Sequence, residues 1–531
     1  MGIPLYFKQL SEKYPEIIKD VLKSKNLFLD LNCAIHPCCR KIIIEHSKST
    51  DSNDTVESRM ITEVISYIQK LINLVDPSFL YIAIDGVAPA AKMNQQRLRR
   101  YKNIHQKELE NEIKKSEGIN EDIYNWNTSA ISPGTEFMKK LTIRINSYLK
   151  TLSLKYFFSD SEQPGEGEHK ILDFIKTNDL EDSVIYGLDA DLIVLAFVSK
   201  KNNIFLLRES LVFGKPVENK FLYLDIDTLK YYITKDIRDK ILEKDSSLIF
   251  TEEKLNGIID DYIFLTFLVG NDFIPHLPSF SLRNDGLSIL LETYIDLYCL
   301  YETNLINCKK KKFNMNFITT FFRELSLIED SILIKMSKKR KRFRLNGRTY
   351  KSEYDKKIDM LNQKPILEQN GEDYVNIGTT NWEYRYYSKC LRINDDEDIE
   401  QCCRNYLMGI VWTYEYYFNG CACWNYKYMY RHAPSIKNIL NTLEYFNLNS
   451  TKFNKSKPVS SVVQLLSILP KKSSYLLPRS YRNLMYNSNL VHLYPDKFEI
   501  DTYYKRYYWE CEPVLPNIDV KQIDKVVKKI K

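Results

Sequence analysis

Three stretches of the chain end in the same way: residues 183–191 read SVIYGLDAD, residues 26–32 read NLFLDLN and residues 79–86 read FLYIAIDG. Each is a short apolar run, rich in β-branched and aromatic residues, that stops at an aspartate. This pattern is typical of a buried parallel strand that delivers a carboxylate to the edge of the sheet. Open α/β sheets bind ligands at that carboxyl edge. The three runs therefore predict an α/β fold with a mostly parallel central sheet and an acidic site at one end.

Further acidic residues lie at other predicted element ends. Residues 163–171 (QPGEGEHKI) predict a turn followed by a helix start, which allows two glutamates to face the strand-end aspartates. Residues 262–269 predict an apolar helix that Gly270 breaks just before another aspartate. The candidate catalytic and metal-binding carboxylates are Asp30, Asp85, Glu166, Glu168, Asp189, Asp191 and Asp272.

This much negative charge repels itself unless a hard cation neutralises it. Ligand sets made only of oxygen favour Mg²⁺ or Mn²⁺ over zinc, so one or two such ions are expected. For a single aspartate, a helix cap or a surface charge is the ordinary explanation. Three independent strand ends each carry an aspartate, however, and the set as a whole predicts a metal-dependent nuclease.

A basic helix is predicted after Pro89, in residues 85–101 (DGVAPAAKMNQQRLRRY). Four of its polar side chains fall at i, i+4, i+7 and i+8 and share one face, whereas Arg97 points elsewhere. Two arginines, a lysine and an amide beside a metal site are suited to binding a phosphate. A solvated basic helix face is the alternative. The predicted phosphate ligands are Lys92, Gln96, Arg99 and Arg100.

These motifs, taken in order, resemble the Xrn family of 5′→3′ exoribonucleases. The resemblance covers most of the chain apart from a middle segment. Its first part consists of MGIPLYF (1–7), FLDLNCAIH (28–36), AIDGVAPAAKMNQQRLRR (83–100), SPGTEFM (132–138), GEGEHKI (165–171), YGLDADLI (186–193) and VGNDFIPHLP (269–278). Its second part consists of WTYEYYFNGCACWNYKYMYRHAP (412–434), QLLSILP (464–470), LLPRSYRNLM (476–485), YPDKFEID (494–501) and WECEPVLPNID (509–519).

The resemblance implies a PIN-like nuclease core and a mainly helical second region that closes over the active-site cleft. It divides the chain into a nuclease region at 1–300, a basic variable linker or insert at 301–380 and the helical region at 381–531. The seven carboxylates match the family's metal ligands, and the four residues of the basic helix match its pocket for a 5′-monophosphate.

The resemblance also assigns several single residues. His36 matches the histidine that stacks on the first base, and Trp424 is the nearest match to its tryptophan partner, although Tyr426 stands where the family tends to have a second tryptophan. Independently of the resemblance, His169 beside Glu168 either orients a carboxylate, contacts the scissile region or is structural. Ala90 replaces an arginine of many relatives, and the initial Met-Gly-Ile-Pro is expected to pack near the active site.

The implied reaction is processive 5′→3′ hydrolysis of 5′-monophosphorylated single-stranded RNA to nucleoside 5′-monophosphates. Its expected setting is the decay of decapped messenger RNA by a monomer, with a decapping enzyme as a candidate partner. Two alternatives stay open: a structure-specific flap-type DNA endonuclease, which shares the sheet-edge carboxylates, and an inactive RNA-binding scaffold.

Composition is consistent with a cytoplasmic or nuclear protein. The 531 residues contain no apolar run of about 18 residues and no signal peptide. The 11 cysteines are therefore expected to be reduced thiols. The absence of the Cys-Cys-His-Cys knuckle of nuclear relatives favours the cytoplasmic type. An end soon after the second region suggests a catalytic core alone, and the coding bias suggests a viral or protist source.

The net charge of +7 is unevenly distributed. Residues 309–351 carry 14 basic and 3 acidic residues, so the remainder of the chain has a net charge of about −4. This segment includes KKRKRFR (338–344) and has three interpretations: an RNA-backbone contact, a nuclear import signal or a solvated linker. Residues 356–380 are expected to form a polar loop.

Overall fold

The computed structural model describes residues 6–20, 23–46, 52–119, 126–212, 215–307, 309–343 and 348–530. The initial Met-Gly-Ile-Pro segment and Arg344 lie outside these ranges, so the predictions made for them are not addressed by the structure. None of the described helices combines the length and the apolar character needed to cross a bilayer. The cysteines within the described ranges are all unpaired.

A seven-stranded sheet forms the centre of the molecule, in the order β1-β7-β6-β5-β2-β3-β4. The five strands from β6 to β4 are parallel, β7 runs antiparallel to β6, and β1 runs antiparallel to β7. This arrangement confirms the predicted mostly parallel sheet. The strands are β1 (Ile18–Lys19), β2 (Asn26–Asp30), β3 (Phe79–Ala83), β4 (Lys155–Ser159), β5 (Ser183–Tyr186), β6 (Ile204–Val212) and β7 (Lys215–Asp225).

Helices cover both faces of this sheet, which explains why β2 and β5 carry consecutive apolar residues rather than alternating ones. On one face, α2, α3 and α5 pack against Leu27, Leu29 and Val184. On the other, α6 to α10 form the larger core around Phe28 and Ile185. The helices of this half are α1 (Tyr6–Lys13), α2 (Asn32–Glu45), α3 (Asn53–Val75), α4 (Ala90–Ser116), α5 (Glu136–Leu149), α6 (Gly167–Thr177), α7 (Asp191–Ser199), α8 (Ile226–Lys244), α9 (Glu252–Leu268) and α10 (Gly286–Tyr301).

The second half is mainly helical, as predicted, and continues the larger core. Its helices are α11 (Met315–Lys341), α12 (Glu353–Leu367), α13 (Asn370–Val375), α14 (Trp382–Tyr386), which runs into a π-helical turn (Tyr387–Leu391), α15 (Asp396–Phe418), α16 (Ile436–Leu443), α17 (Ser461–Ile468) and α18 (Val520–Val527). Two short strand pairs accompany them: β8 (Ile306–Asn307) with β9 (Lys312–Phe313), and β10 (Ile500–Asp501) with β11 (Glu512–Pro513).

Short 3₁₀ helices connect these elements, at Pro15–Ile17, Thr128–Ala130, Leu282–Asn284, Leu448–Ser450, Lys471–Leu476, Arg479–Met485, Val491–Leu493 and Tyr508–Glu510. Helix α15 joins the two halves, because it packs on α7 and α9 and its Trp412 is fully buried.

Part of the middle of the chain, predicted to be a linker or an insert, contributes to the larger core. Helix α11 spans most of the basic segment, and Phe317, Phe321 and Leu325 on its first turns are fully buried in the larger core. The expected polar loop at 356–380 is also wrong, because α12, α13 and the start of the following turn occupy it. The net charge of the segment did not reveal α11. Its basic residues cluster at its exposed end, whereas its apolar residues repeat with helical spacing.

Candidate active site

The carboxylates follow the strand ends as the sequence predicts. Asp30 is the last residue of β2, Asp85 lies two residues beyond β3, and Asp191 is the first residue of α7, shortly after β5. Because β3, β2 and β5 are parallel neighbours, their ends meet at one edge of the sheet. Asp189 lies at the same edge and is exposed, whereas Asp30 and Asp191 are buried.

A close approach of two loops brings Glu166 to the same place. The N–H of Gly86 donates to the carbonyl of Gly165, and the N–H of Gly165 donates to the carbonyl of Val87, both at 2.9 Å. Any side chain on Gly86 would overlap the carbonyl of Gln163, so glycine is required there. The loop after β3 is thereby fixed against the start of α6, where Glu166 is the N-cap residue.

Backbone and amide groups hold Asp85, close to Asp30. The N–H of Gly167 donates to Asp85 Oδ1 at 2.7 Å, and a Cβ at Gly167 would stand only 2.6 Å from Asp30 Oδ1. Asn32 Nδ2 donates to Asp85 Oδ2 at 2.9 Å, and its own Oδ1 accepts from the Asp85 N–H at 3.1 Å. Sequence reasoning missed Asn32, although its position two residues after Asp30 at a strand end was a usable signal.

Lys92 connects the acidic cluster to the basic helix α4. Its ammonium group pairs with Glu166 and donates to Asp272 Oδ2 at 2.8 Å. Although burial opposes ionisation, Lys92 holds the pKa of Asp272 well below its usual range. The residue predicted as a phosphate ligand therefore also neutralises two of the predicted metal ligands.

The negative charges of Asp30, Asp191 and Glu168 are only partly balanced by neighbouring positive charges. Burial and the neighbouring Asp85 raise the pKa of Asp30 to about 8, and burial and Asp272 raise the pKa of Asp191 to about 7. Burial also raises the pKa of Glu168, with Asp191 adding to the shift and Lys92 opposing it. Buried carboxylates in this state gain from any cation that reaches them.

The carboxylates have donor atoms suited to a hard divalent ion, but they are not yet arranged around one. Their donor atoms fit, because the set is entirely oxygen and because Asp30 Oδ1 and Glu168 Oε2 are buried without a hydrogen-bond partner. In the described part of the chain, no three His, Cys, Asp or Glu side chains are already grouped as ligands of an ion. The side chains would therefore have to close around it.

The basic face of α4 forms as predicted, and its members differ in their surroundings. Arg100 donates to Ser132 Oγ at 2.6 Å, and burial together with Arg99 lowers the pKa of Arg100 to about 9. The side-chain oxygen of Gln96 is buried without a partner. Arg99 makes no ion pair with the described residues. Arg97 points away, as predicted, and its guanidinium donates to the carbonyls of Ser467 and Leu493.

His36 lies beside this face, close to Arg99 and Arg100. Desolvation and the guanidinium groups of Arg99 and Arg100 lower its pKa to about 4, so the ring is neutral at neutral pH and suited to stacking. The backbone of Trp424 is fixed at the start of α4, since its carbonyl accepts from the Ala90 N–H at 2.8 Å. No ring contact joins His36 and Trp424 among the described residues. Tyr426 is a core residue stacked on Trp412.

The helical half reaches the cluster through Tyr416 of α15, which sequence reasoning missed. Its hydroxyl donates to Glu166 Oε1 at 2.7 Å in a buried contact. Its ring packs on His169 with centroids 4.0 Å apart, and burial and Lys92 lower the pKa of His169 to about 3. Nothing in the aromatic run around Tyr416 distinguishes this tyrosine from its neighbours, because the contact joins residues 250 positions apart.

A mostly parallel sheet covered by helices on both faces, with carboxylates converging at its carboxyl edge, is the architecture of the PIN-like class of domains. Models of two domains match this chain: the XRN 5′-3′ exonuclease N-terminus over residues 1–210 and the Xrn1 helical domain over residues 252–366 and 346–531. The chain belongs to the Xrn family. The second match begins at residue 252 and includes most of α11, whereas the predicted boundary lay at residue 300.

Curated relatives agree with this assignment. The chain is 30% identical to human 5′-3′ exoribonuclease 1 over 98% of its own length and 34% of that protein. It is 27% identical to 5′-3′ exoribonuclease 2 of Candida albicans over 100% of its own length and 72% of that protein. For 5′-3′ exoribonuclease 1 of Saccharomyces cerevisiae the identity is 26%, over 98% and 43% of the two lengths. The chain thus spans only part of these relatives.

Proposed function

We propose that this protein is a 5′→3′ exoribonuclease that hydrolyses 5′-monophosphorylated single-stranded RNA to nucleoside 5′-monophosphates. One observation carries the proposal: the ammonium of Lys92, on the basic face of α4, contacts Glu166 and Asp272 of the carboxylate cluster. A phosphate bound by this face therefore lies beside the carboxylates. The names of the relatives in humans and yeasts support the same activity.

In this proposal, the basic face selects the 5′ end. Arg99 and Arg100 supply guanidinium donors suited to bidentate contacts with a terminal phosphate, and Gln96 adds an amide. The neutral ring of His36 lies beside the two arginines and can stack on the first base. Trp424 is the proposed second stacking residue, held at the start of α4. Since the pocket holds one phosphate, a 5′-triphosphate or a capped end is expected to resist.

The carboxylate cluster is proposed to hold one or two Mg²⁺ or Mn²⁺ ions. When bound, such ions activate water and stabilise the leaving 3′-oxygen. The proposed ligands are Asp30, Asp85, Glu166, Glu168, Asp189, Asp191 and Asp272. Asn32 and the Gly167 N–H orient Asp85, while Tyr416 orients Glu166.

The biological setting is proposed from the family resemblance of the sequence motifs. Decay of decapped messenger RNA in the cytoplasm is the proposed role, with a decapping enzyme as a partner and a monomer as the working unit. A nuclear location is the alternative. Exposed basic residues at the end of α11, Lys338, Lys339 and Arg342, are typical of a nuclear import signal.

The proposal is tested by incubating the protein with Mg²⁺ and one single-stranded RNA that carries a 5′-monophosphate, a 5′-hydroxyl or a 5′-triphosphate. Rapid release of mononucleotides from the monophosphate alone, abolished in Asp191→Ala, is expected. Equal cutting of the three RNAs, or internal products, would favour a flap-type endonuclease. Binding without any cutting would favour an inactive RNA-binding scaffold.

A further inference from the structure

A basic cavity adjoins the carboxylate cluster. It has a volume of about 300 Å³ and lies between α4, residues 269–276, residues 427–431 and residues 505–517. This volume is at the lower end of the range for small-molecule pockets, roughly 300–1,000 Å³. Asp272 and Arg99 line it, so it adjoins both the carboxylate cluster and the basic face.

The charges of its wall favour an anion. Six arginine and lysine side chains line the cavity, against three carboxylates. Two of those carboxylates are already neutralised, since Asp272 binds Lys92 at 2.8 Å and Glu510 binds Arg283 at 2.7 Å. On the basic side, Arg431 is paired with Asp501 at 3.0 Å. The cations left without an ion pair among the described residues are Arg97, Arg99, Lys102, Lys427 and Lys505.

One of these cations is buried without an adequate partner. Lys427 is 9% exposed, and its ammonium makes one long contact, 3.5 Å to Asn517 Oδ1. Burial and the positive charge of Arg97 lower the pKa of Lys427 to about 8. A buried charge without a partner is costly to the fold unless a ligand compensates it.

The cavity also has apolar surface suited to a base. Aromatic side chains of Phe273, Tyr430 and Trp509 belong to its wall. A cluster of cations beside aromatic rings binds a nucleotide better than it binds an acidic peptide, because rings stack on bases while cations hold the phosphate.

We infer that this cavity binds the nucleoside 5′-monophosphate released by hydrolysis, as a site separate from the pocket that holds the 5′ end of the RNA. Arg99 lines the cavity and lies near His36, so it can contact the phosphate of the product on its way from one site to the other. The nature of this ligand rests on the proposed function. Lys427 and Lys505 are the residues specific to the second site.

Equilibrium dialysis with a radiolabelled nucleoside 5′-monophosphate tests the inference. The Asp191→Ala protein is first saturated with 5′-phosphorylated RNA, which fills the first pocket without being cleaved. We expect about one nucleotide to bind per protein, and at least about tenfold weaker binding when Lys427→Met and Lys505→Met are added. Lys521→Ala, on the surface of α18, is the control and should bind as tightly as the parent.

Three results would overturn the inference: no nucleotide bound once RNA is in place, unchanged binding in the double variant, or displacement by inorganic phosphate at the same concentration as by unlabelled nucleotide. The last result would reduce the cavity to a phosphate site. The proposed function is tested separately, by whether RNA binding depends on the 5′-phosphate. If RNA binding does not depend on it, the proposed function fails, and nucleotide binding is still measured on the RNA-free protein.

Discussion

At the residue scale, a single hydroxyl links the helical half to the carboxylates. Tyr416 lies in α15, its ring stacks on Trp412 with centroids 4.9 Å apart, and its hydroxyl donates to Glu166. The rigid packing of the ring fixes where the hydroxyl points. Tyr416 is therefore a positioning residue for Glu166 rather than a group that touches the RNA.

Tyr416→Phe should keep the packing and lose this hydrogen bond. We expect kcat to fall by roughly tenfold, as for a lost hydrogen bond of about 1.4 kcal/mol. The affinity for 5′-phosphorylated RNA should stay unchanged, and more Mg²⁺ should be needed for half-maximal rate. Tyr414→Phe, on the same helix, is the control for ring packing. An unaltered kcat in Tyr416→Phe would contradict the positioning role.

Arg97 and Arg99 offer a matched pair on one helix. Arg97 is buried against two backbone carbonyls, so Arg97→Ala should lower the free energy of unfolding by about 2–4 kcal/mol. Arg99 has no such role, so Arg99→Ala should leave stability nearly unchanged. It should instead reduce kcat/KM for 5′-phosphorylated RNA by roughly 10–100-fold, the value of a charge-assisted contact.

Thermal unfolding and kinetics with 5′-phosphorylated and 5′-hydroxyl RNA measure both effects. If Arg99→Ala slows the two RNAs equally, Arg99 does not recognise the phosphate.

At the scale of elements, the strands and α4 could be predicted because their signals are local. An apolar run that stops at an aspartate marks a strand end, and spacings of four, seven and eight mark one face of α4. Helix α11 could not be recognised by charge, since its basic residues lie at its exposed C-terminal end, whereas its buried side chains share the other end. Tyr416 was missed because long-range contacts leave no periodic trace in sequence.

The burial of Glu329 in α11 makes the packing of this helix depend on pH. The side chain is 3% exposed and accepts from the N–H of Ile436, the first residue of α16, at 2.9 Å. Burial raises its pKa to about 8. A carboxyl with a raised pKa in the folded state stabilises the fold below its unfolded pKa, and this contribution is lost as pH rises through the folded pKa.

Glu329→Gln removes that loss. The difference in the free energy of unfolding between Glu329→Gln and wild type should therefore grow by about 1–3 kcal/mol in favour of the variant between pH 5 and pH 8. Urea unfolding at several pH values measures the difference, with the exposed Glu324→Gln of the same helix as the control. A difference from wild type that does not change with pH would refute the burial of an ionisable Glu329.

The exposed end of α11 is expected to contact the RNA backbone. Lys338, Lys339 and Arg342 are exposed there, whereas Arg340 is paired with Glu372 at 2.8 Å. Changing the three exposed residues to Gln should weaken binding of long RNA and reduce its dependence on salt, the slope of log Kd against log salt falling by roughly 2. Lys521→Gln, Lys525→Gln and Lys528→Gln together remove the same charge elsewhere. Equal effects of the two triple variants would show that only net charge matters.

At the scale of the whole molecule, the site depends on both halves of the chain. The sheet supplies the carboxylates, the N-terminal part of α4 supplies the phosphate-binding face, and α15 places Tyr416 on Glu166. The sequence was sufficient to predict the sheet, the carboxylates and the basic face. It was not sufficient to predict that Lys92 belongs to both clusters, because that depends on how α4 is oriented over the sheet edge.

We propose that phosphate recognition and the carboxylate cluster form one site, joined by Lys92. The most direct test is to measure kcat/KM of Lys92→Met with 5′-phosphorylated and 5′-hydroxyl RNA across a range of Mg²⁺ concentrations. We expect the preference for the 5′-phosphate to fall towards one, and the Mg²⁺ requirement to change at the same time because Glu166 and Asp272 lose their counter-charge. A variant that keeps the wild-type preference and the wild-type Mg²⁺ dependence would contradict the account.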